Sequence, residues 1–255
     1  MKASDPPGSP APRPSPRWLL IGNSRWHWAD GAPPPGALQC WHTSPPPLAG
    51  DPDLAALQGW AAVGSLPAGA PLDPARRLGL ERVPLQGLPP WLGVDRALVA
   101  WRAWQLSAAP VLVADAGTAL SLTLVDGQGR FVGGRLQAGL ALQLRALAAG
   151  TAQLPAVDPG AWAHQPGGDG PLIEADSWPQ PTAQALQVGI RQGLVAAVSA
   201  AWHQAGERCP GCQLWITGGD SDWLAPALGL EPSPALALEA LALLSPGTVS
   251  SDPDR

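Results

Sequence analysis

The sequence predicts an α/β fold in which one strand–turn–strand unit is used twice. Trp18-Leu19-Leu20-Ile21 is a short apolar run of the kind a buried strand shows, Gly22-Asn23-Ser24 closes it as a turn, and Trp26 and Trp28 then alternate with polar neighbours. The pattern returns near the middle of the chain. Val111-Leu112-Val113-Ala114 ends at Asp115, Ala116-Gly117-Thr118 turns, and Leu120, Leu122 and Leu124 alternate with Ser121, Thr123 and Val125. Segments with apolar residues at helical spacing follow these strands.

In chain order, residues 1–16 hold six prolines among Ser, Gly and Ala, a composition that predicts a disordered tail. From Pro33 to Pro90 prolines punctuate the chain; Leu54 to Ala62 reads as a short helix and Trp60 to Ser65 as an approach to a strand. Leu98 to Leu106 is helical. Asp126-Gly127-Gln128-Gly129 is a hairpin turn before Phe131-Val132. Gly139 to Ala149 and Ala183 to Ala205 are helices, the second with Leu186, Ile190, Leu194 and Val198 on one stripe. Gly189, Gly193, Ala197 and Ala201 form a stripe of small residues, an interior packing face or a subunit contact. Leu214 to Thr217 reads as a further buried strand stopped by Gly218-Gly219, with a helix from Asp222, a closing helix over Ala235 to Leu244 and a polar tail, 247–255.

Composition limits the function. With 45% hydrophobic and 14% charged residues in 255, the chain has an ample apolar supply for a folded core. A net charge of −5 and scattered arginines leave no basic stripe, which argues against nucleic acid as a partner. No run approaches the roughly 18 apolar residues needed to span a bilayer, so no membrane role is expected. Cys40, Cys209 and Cys212 are an odd count without a disulfide framework, and no apolar leader opens the chain, which together predict a cytoplasmic protein. Cys209-Pro210-Gly211-Cys212 has zinc-knuckle spacing but lacks a second pair, and His203 beside it reads as an ordinary helix residue. His27, His42 and His164 show no partnered spacing. Thirteen tryptophans, one phenylalanine and no tyrosine suggest that Trp fills sites where other chains use Tyr or Phe.

Two turns have the small residues and hydroxyls that cradle phosphate oxygens, Gly22-Asn23-Ser24 and Gly117-Thr118, and a nucleotide held between two similar lobes needs one from each. Asp95 stands just before an apolar helix, as a proton acceptor or as an N-cap. Arg96 has the geometry to pair bidentately with a carboxylate or phosphate, or is a surface arginine of a first turn. Asp115 ends an apolar strand, where a carboxylate needs a cation, several N–H donors or its own turn as partner. Thr182 opens the long helix as a candidate N-cap.

Read as segments, these residues resemble the type III pantothenate kinases. Asp115 to Pro155, DAGTALSLTLVDGQGRFVGGRLQAGLALQLRALAAGTAQLP, is similar to that family's central signature of Asp-x-Gly-Thr, hairpin, Gly-Gly, helix start and Thr-Ala-x-Leu-Pro. Gly93-Val94-Asp95-Arg96 resembles its Gly-x-Asp-Arg substrate motif, and Gly22-Asn23-Ser24, continued by Arg25, its ATP turn. Thr182 with Gly189 resembles its Thr-x-x-Ala-x-x-x-Gly segment and Thr217-Gly218-Gly219-Asp220 its C-terminal glycine turn.

The resemblance implies two duplicated actin-like (ribonuclease H-like) lobes with mixed sheets, 17–108 and 109–246, and an ATP cleft between them. It implies ATP-dependent phosphorylation of pantothenate to 4'-phosphopantothenate, the first step of coenzyme A biosynthesis, by a homodimer using ATP with Mg2+ and a monovalent cation, K+ or NH4+. Asp95 would be the catalytic base; Gly93, Val94, Asp95, Arg96 and Thr182 would bind substrate; Gly22, Asn23, Ser24, Arg25 and Thr118 would bind ATP; Asp115 would hold the cation. The chain departs from the family pattern at two points. Leu20 stands where the first turn has an aspartate, and Pro89, Pro90 and Trp91 occupy the neighbourhood of a substrate-contacting tyrosine. Leu20 motivates an alternative, a non-catalytic member acting as a binding or regulatory protein. A kinase for a different small alcohol is a third reading, because fold does not fix substrate.

Overall fold

The computed structural model describes residues 15–44, 54, 57–63, 66, 69–160 and 178–245. The C-terminal tail, all but the end of the proline-rich tail, and His164 lie outside the described residues.

The duplication expected from the strand–turn–strand pattern is realised as two four-stranded mixed sheets of identical connectivity. In the first, β1 (Arg17–Ile21) pairs antiparallel with β2 (Trp26–Gly31), β2 antiparallel with β3 (Leu38–Thr43), and β1 parallel with β4 (Gly59–Ala62). In the second, β5 (Val111–Ala116) pairs antiparallel with β6 (Ala119–Val125), β6 antiparallel with β7 (Phe131–Ala138), and β5 parallel with β8 (Gln213–Thr217). The orders are β3-β2-β1-β4 and β7-β6-β5-β8. Residues 59–62 are strand, which overturns the expected helix over its end through Ala62 and agrees with the strand approach read from Trp60. A short apolar stretch does not choose its own period, and here the backbone groups of Trp18–Ile21 were available to pair with it.

Two helices fill the space between the sheets. α1 (Val94–Ser107) and the C-terminal α5 (Leu236–Leu244) pack on each other. They share one core with Trp18, Leu20, Ala29 and Ala61 of the first sheet and Val111, Val113 and Val125 of the second. Arg102 Nε to Glu239 Oε2 at 2.7 Å ties α1 to α5, and Trp215 Nε1 donates to Ser107 Oγ at 2.8 Å, tying β8 to the end of α1. α2 (Leu140–Gly150), α3 (Thr182–Arg208) and α4 (Ser221–Ala227) cover the opposite face of the second sheet around Leu112, Ala114, Leu144, Leu194 and Ile216. A third cluster, Leu19, Ile21, Trp26, Trp28, Leu54, Leu57, Trp60 and Leu72, closes the outer face of the first sheet.

Local expectations change at three places. Gly93, in extended conformation, is the N-cap of α1, so Asp95 is a first-turn residue and not a cap. Pro181 takes the corresponding place before α3, and Thr182 is its first helical residue. Gly189 and Gly193 face open space, so the small-residue stripe is not an interior packing face at those positions.

Candidate active site

The duplicated topology brings the tips of both first hairpins together. In the β1–β2 turn Gly22 N donates to Arg25 O, and in the β5–β6 turn Gly117 N donates to Ala119 O, so each glycine amide closes its own turn. What the turns present is therefore their hydroxyls. Ser24 Oγ and Thr118 Oγ1 lie 2.8 Å apart, 94 residues apart in sequence. The second turn rests on the start of α2, where Gly139 N donates to Thr118 O at 3.0 Å, so the positive end of that helix stands beside Thr118. The glycine turn after β8 closes around the end of β5: Asp220 N donates to Ala116 O at 2.8 Å. Gly218, at φ +93°, adopts a conformation that side chains disfavour, and a Cβ there would strike Ala116 O and Asp115 Oδ1.

The acidic pair comes from α1 and β5. Asp95 accepts a 2.8 Å hydrogen bond from the Arg96 backbone N–H, and burial raises its pKa, with Arg96 opposing. Asp115, paired with Ser121 and Thr217 in its sheet, is pushed up to about 7, first by burial and then by the negative charge of Asp95, with Arg96 opposing. Arg96 donates from Nε to Thr123 Oγ1 at 3.3 Å and lies against Gly134, so β6 and β7 hold it between the two acids. A guanidinium flanked by two carboxylates of raised pKa is an arrangement that can accept a proton from a bound hydroxyl and hold an anionic ligand.

Asp95, Arg96 and Asp115 are thus brought together, with Gly93 and Val94 supplying the helix start beneath them. Gly22, Asn23, Ser24, Arg25 and Thr118 form the paired turns. Thr182 stands exposed at the head of α3, joined to neither group by a hydrogen bond among the described residues. Trp91 is 76% exposed. Leu20 is buried in β1 beside Trp18 and Ala61, in the inter-sheet core.

Sequence reasoning missed two neighbours of these residues, His42 and Arg191. His42 Nε2 lies 3.2 Å from Arg25 Nη1. Arg191 of α3 is buried, with its guanidinium 4.8 Å from the Trp223 ring centre, and it interacts with Asp220, whose pKa burial raises while Arg191 and Arg25 oppose. Both contacts join residues far apart in the chain, and no local pattern announces them. A hollow of about 600 Å3 on α3, lined by Ser199, Trp202, His203, Gly206 and Glu207, contains none of the site residues. Cys209 and Cys212 are free thiols, and no group of three metal-ligating side chains occurs among the described residues.

A family model of type III pantothenate kinases matches residues 86–204, which span Gly93 to Arg96, Asp115, Thr118 and Thr182. The type III pantothenate kinase of Synechococcus elongatus is 34% identical over 260 residues, covering 92% of this chain and 98% of that protein. That of Thermosynechococcus vestitus is 37% identical over 215 residues, covering 82% and 79%. Among solved structures, a Campylobacter jejuni protein assigned to the Baf family of transcriptional activators superposes with a TM-score of 0.58 at 17% identity, covering 89% of this chain and 96% of that one, a likeness of fold. By its length-wide similarity to these kinases, this chain belongs to the type III pantothenate kinase family.

Proposed function

We propose that this protein is a pantothenate kinase that transfers the γ-phosphate of ATP to the hydroxyl of pantothenate, giving 4'-phosphopantothenate for coenzyme A synthesis. The observation that carries the reading is the convergence of Asp95, Arg96 and Asp115, from a helix start and a strand end, in a chain of this family.

Asp95 is the group that accepts the hydroxyl proton as the oxygen attacks phosphorus; partial burial makes its carboxylate a stronger base than one in water. Arg96, with Gly93 and Val94 shaping the helix start, meets the pantothenate carboxylate, and Thr182 would reach the substrate from α3. Ser24, Asn23 and Thr118 line the phosphates, Gly22 shapes the turn, and Arg25 adds positive charge.

The donor chemistry fits a monovalent cation at Asp115, because a buried carboxylate flanked by a second acid is relieved by one positive charge. K+ or NH4+ there would supply charge balance beside the phosphates. Mg2+ fits as a ligand of the triphosphate itself, since Leu20 offers no carboxylate in the first turn and Mg2+ is commonly held by substrate phosphates. The chain works as a homodimer in the cytoplasm on this reading, and no helix among the described residues is long and apolar enough to cross a membrane.

The non-catalytic alternative raised by Leu20 has no support in relatives that are named as kinases across nearly the whole chain. The test is a coupled ATP assay with pantothenate, Mg2+ and K+, run beside Asp95→Asn. Pantothenate-dependent ATP consumption is expected from the wild type alone. Nucleotide binding without turnover, or turnover with sugars only, overturns the reading.

A further inference from the structure

Arg25 is an exposed arginine at the tip of the β1–β2 turn, yet it has a neighbour on each side. On one side Nη1 meets His42 Nε2 at 3.2 Å. On the other, a Cβ placed on Gly219 would lie 3.6 Å from the same Nη1, so the guanidinium reaches from the first sheet to the glycine turn that follows β8. It therefore bridges the two halves of the site alongside the Ser24–Thr118 contact.

The partner's chemistry matters. A guanidinium has only donors, so His42 Nε2 must be the acceptor, which makes the ring neutral with its proton on Nδ1. A carboxylate in the same place would also orient Arg25, but it would neutralise the charge and compete with any incoming phosphate. A neutral imidazole orients the guanidinium and leaves its charge available. An unheld arginine has rotamer entropy that binding must overcome, and fixing it beforehand reduces that cost.

The sheet supports His42 in turn. His42 is the cross-strand partner of His27, and His27 of Leu20, so the three side chains stand on one face of the sheet. The two imidazole centres are 6.4 Å apart. Burial, then His42 and Arg25, holds the His27 pKa below its ordinary value.

We propose that His42 is a positioning residue for nucleotide binding, holding Arg25 through a neutral acceptor nitrogen so that its undiminished charge meets the nucleotide phosphates. The proposal rests on the kinase reading for the identity of the ligand, and it deepens that reading by assigning a residue outside all the family-like segments.

Full-length protein decides it by titration calorimetry with ATP and by steady-state kinetics. Because His42 and Arg25 are exposed, the substitutions are not expected to disturb folding, and a thermal melt of each variant checks this. His42→Phe should weaken ATP binding about tenfold, the scale of one charge-assisted hydrogen bond, with a smaller effect on the KM for pantothenate. His42→Gln keeps a neutral acceptor and should recover most of the loss. In an Arg25→Gln background His42→Phe should add nothing. ATP affinity unchanged in His42→Phe, no recovery in His42→Gln, or an additive double variant each overturns the proposal. A wild type that binds ATP but leaves pantothenate untouched overturns the kinase reading alone, whereas a wild type that binds no ATP overturns both.

Discussion

Ser24 Oγ and Thr118 Oγ1 share a hydrogen bond of 2.8 Å, which joins the equivalent turns of the two duplicated sheets at a single point. The bond is exposed, and an exposed hydroxyl pair contributes little to folding. Its consequence is geometric, since each hydroxyl is fixed by the other.

Removing either hydroxyl should therefore affect ligand binding more than stability. Ser24→Ala and Thr118→Val are each expected to raise the KM for ATP several-fold while changing unfolding free energy by less than about 1 kcal/mol. The double variant should be less than additive in ATP binding. Denaturant melts and ATP titrations of the three proteins check this.

Asp95→Asn keeps the shape of the α1 start and removes the carboxylate proposed as proton acceptor. A general base is worth roughly 10²–10⁴-fold, so kcat should fall by that order while ATP affinity and the thermal midpoint stay close to wild type. A loss confined to KM would assign Asp95 to binding instead.

Asp115 makes stability depend on pH. Its pKa in the folded chain is about 7, above the value near 3.9 of an unfolded aspartate. Between those values the folded protein binds the extra proton, so the contribution is present at low pH and is lost as pH rises through about 7. Relative to wild type, Asp115→Asn should gain stability from pH 5 to pH 8, by on the order of 2 kcal/mol. If K+ is held there, adding it should flatten the wild-type profile and leave that of the variant unchanged, as melts at each pH would record.

Gly218→Ala should be severe for its size. The residue sits at φ +93°, and the new methyl would meet Ala116 O and Asp115 Oδ1. A loss of about 1–3 kcal/mol is expected, together with weaker ATP binding, whereas Gly189→Ala, which points into open space, should be neutral or slightly stabilising in its helix.

Elements with strong burial contrast were readable from sequence. β5 is covered on nearly every residue, and its continuous apolar run betrayed it. β3 was not, because four of its six residues are exposed and the strand lies at the edge of its sheet, where neither alternation nor a buried run is required. Residues 59–62 were read both as the end of a helix and as the approach to a strand: four small or apolar residues suit a helix and a buried strand equally, and pairing with β1 decided between them.

By itself the sequence determined the doubled strand–turn–strand unit, the two hydroxyl-bearing turns and an aspartate at the end of an apolar strand, because each is written in residues within a few positions of one another. Only the tertiary structure decided that α5 returns from the end of the chain to pack between the sheets, that Ser24 meets Thr118, that His42 lies against Arg25, and that Asp115 is driven toward protonation, first by burial and then by Asp95. These depend on burial and on contacts between distant segments, and neither exists until the two sheets close on their shared helical layer.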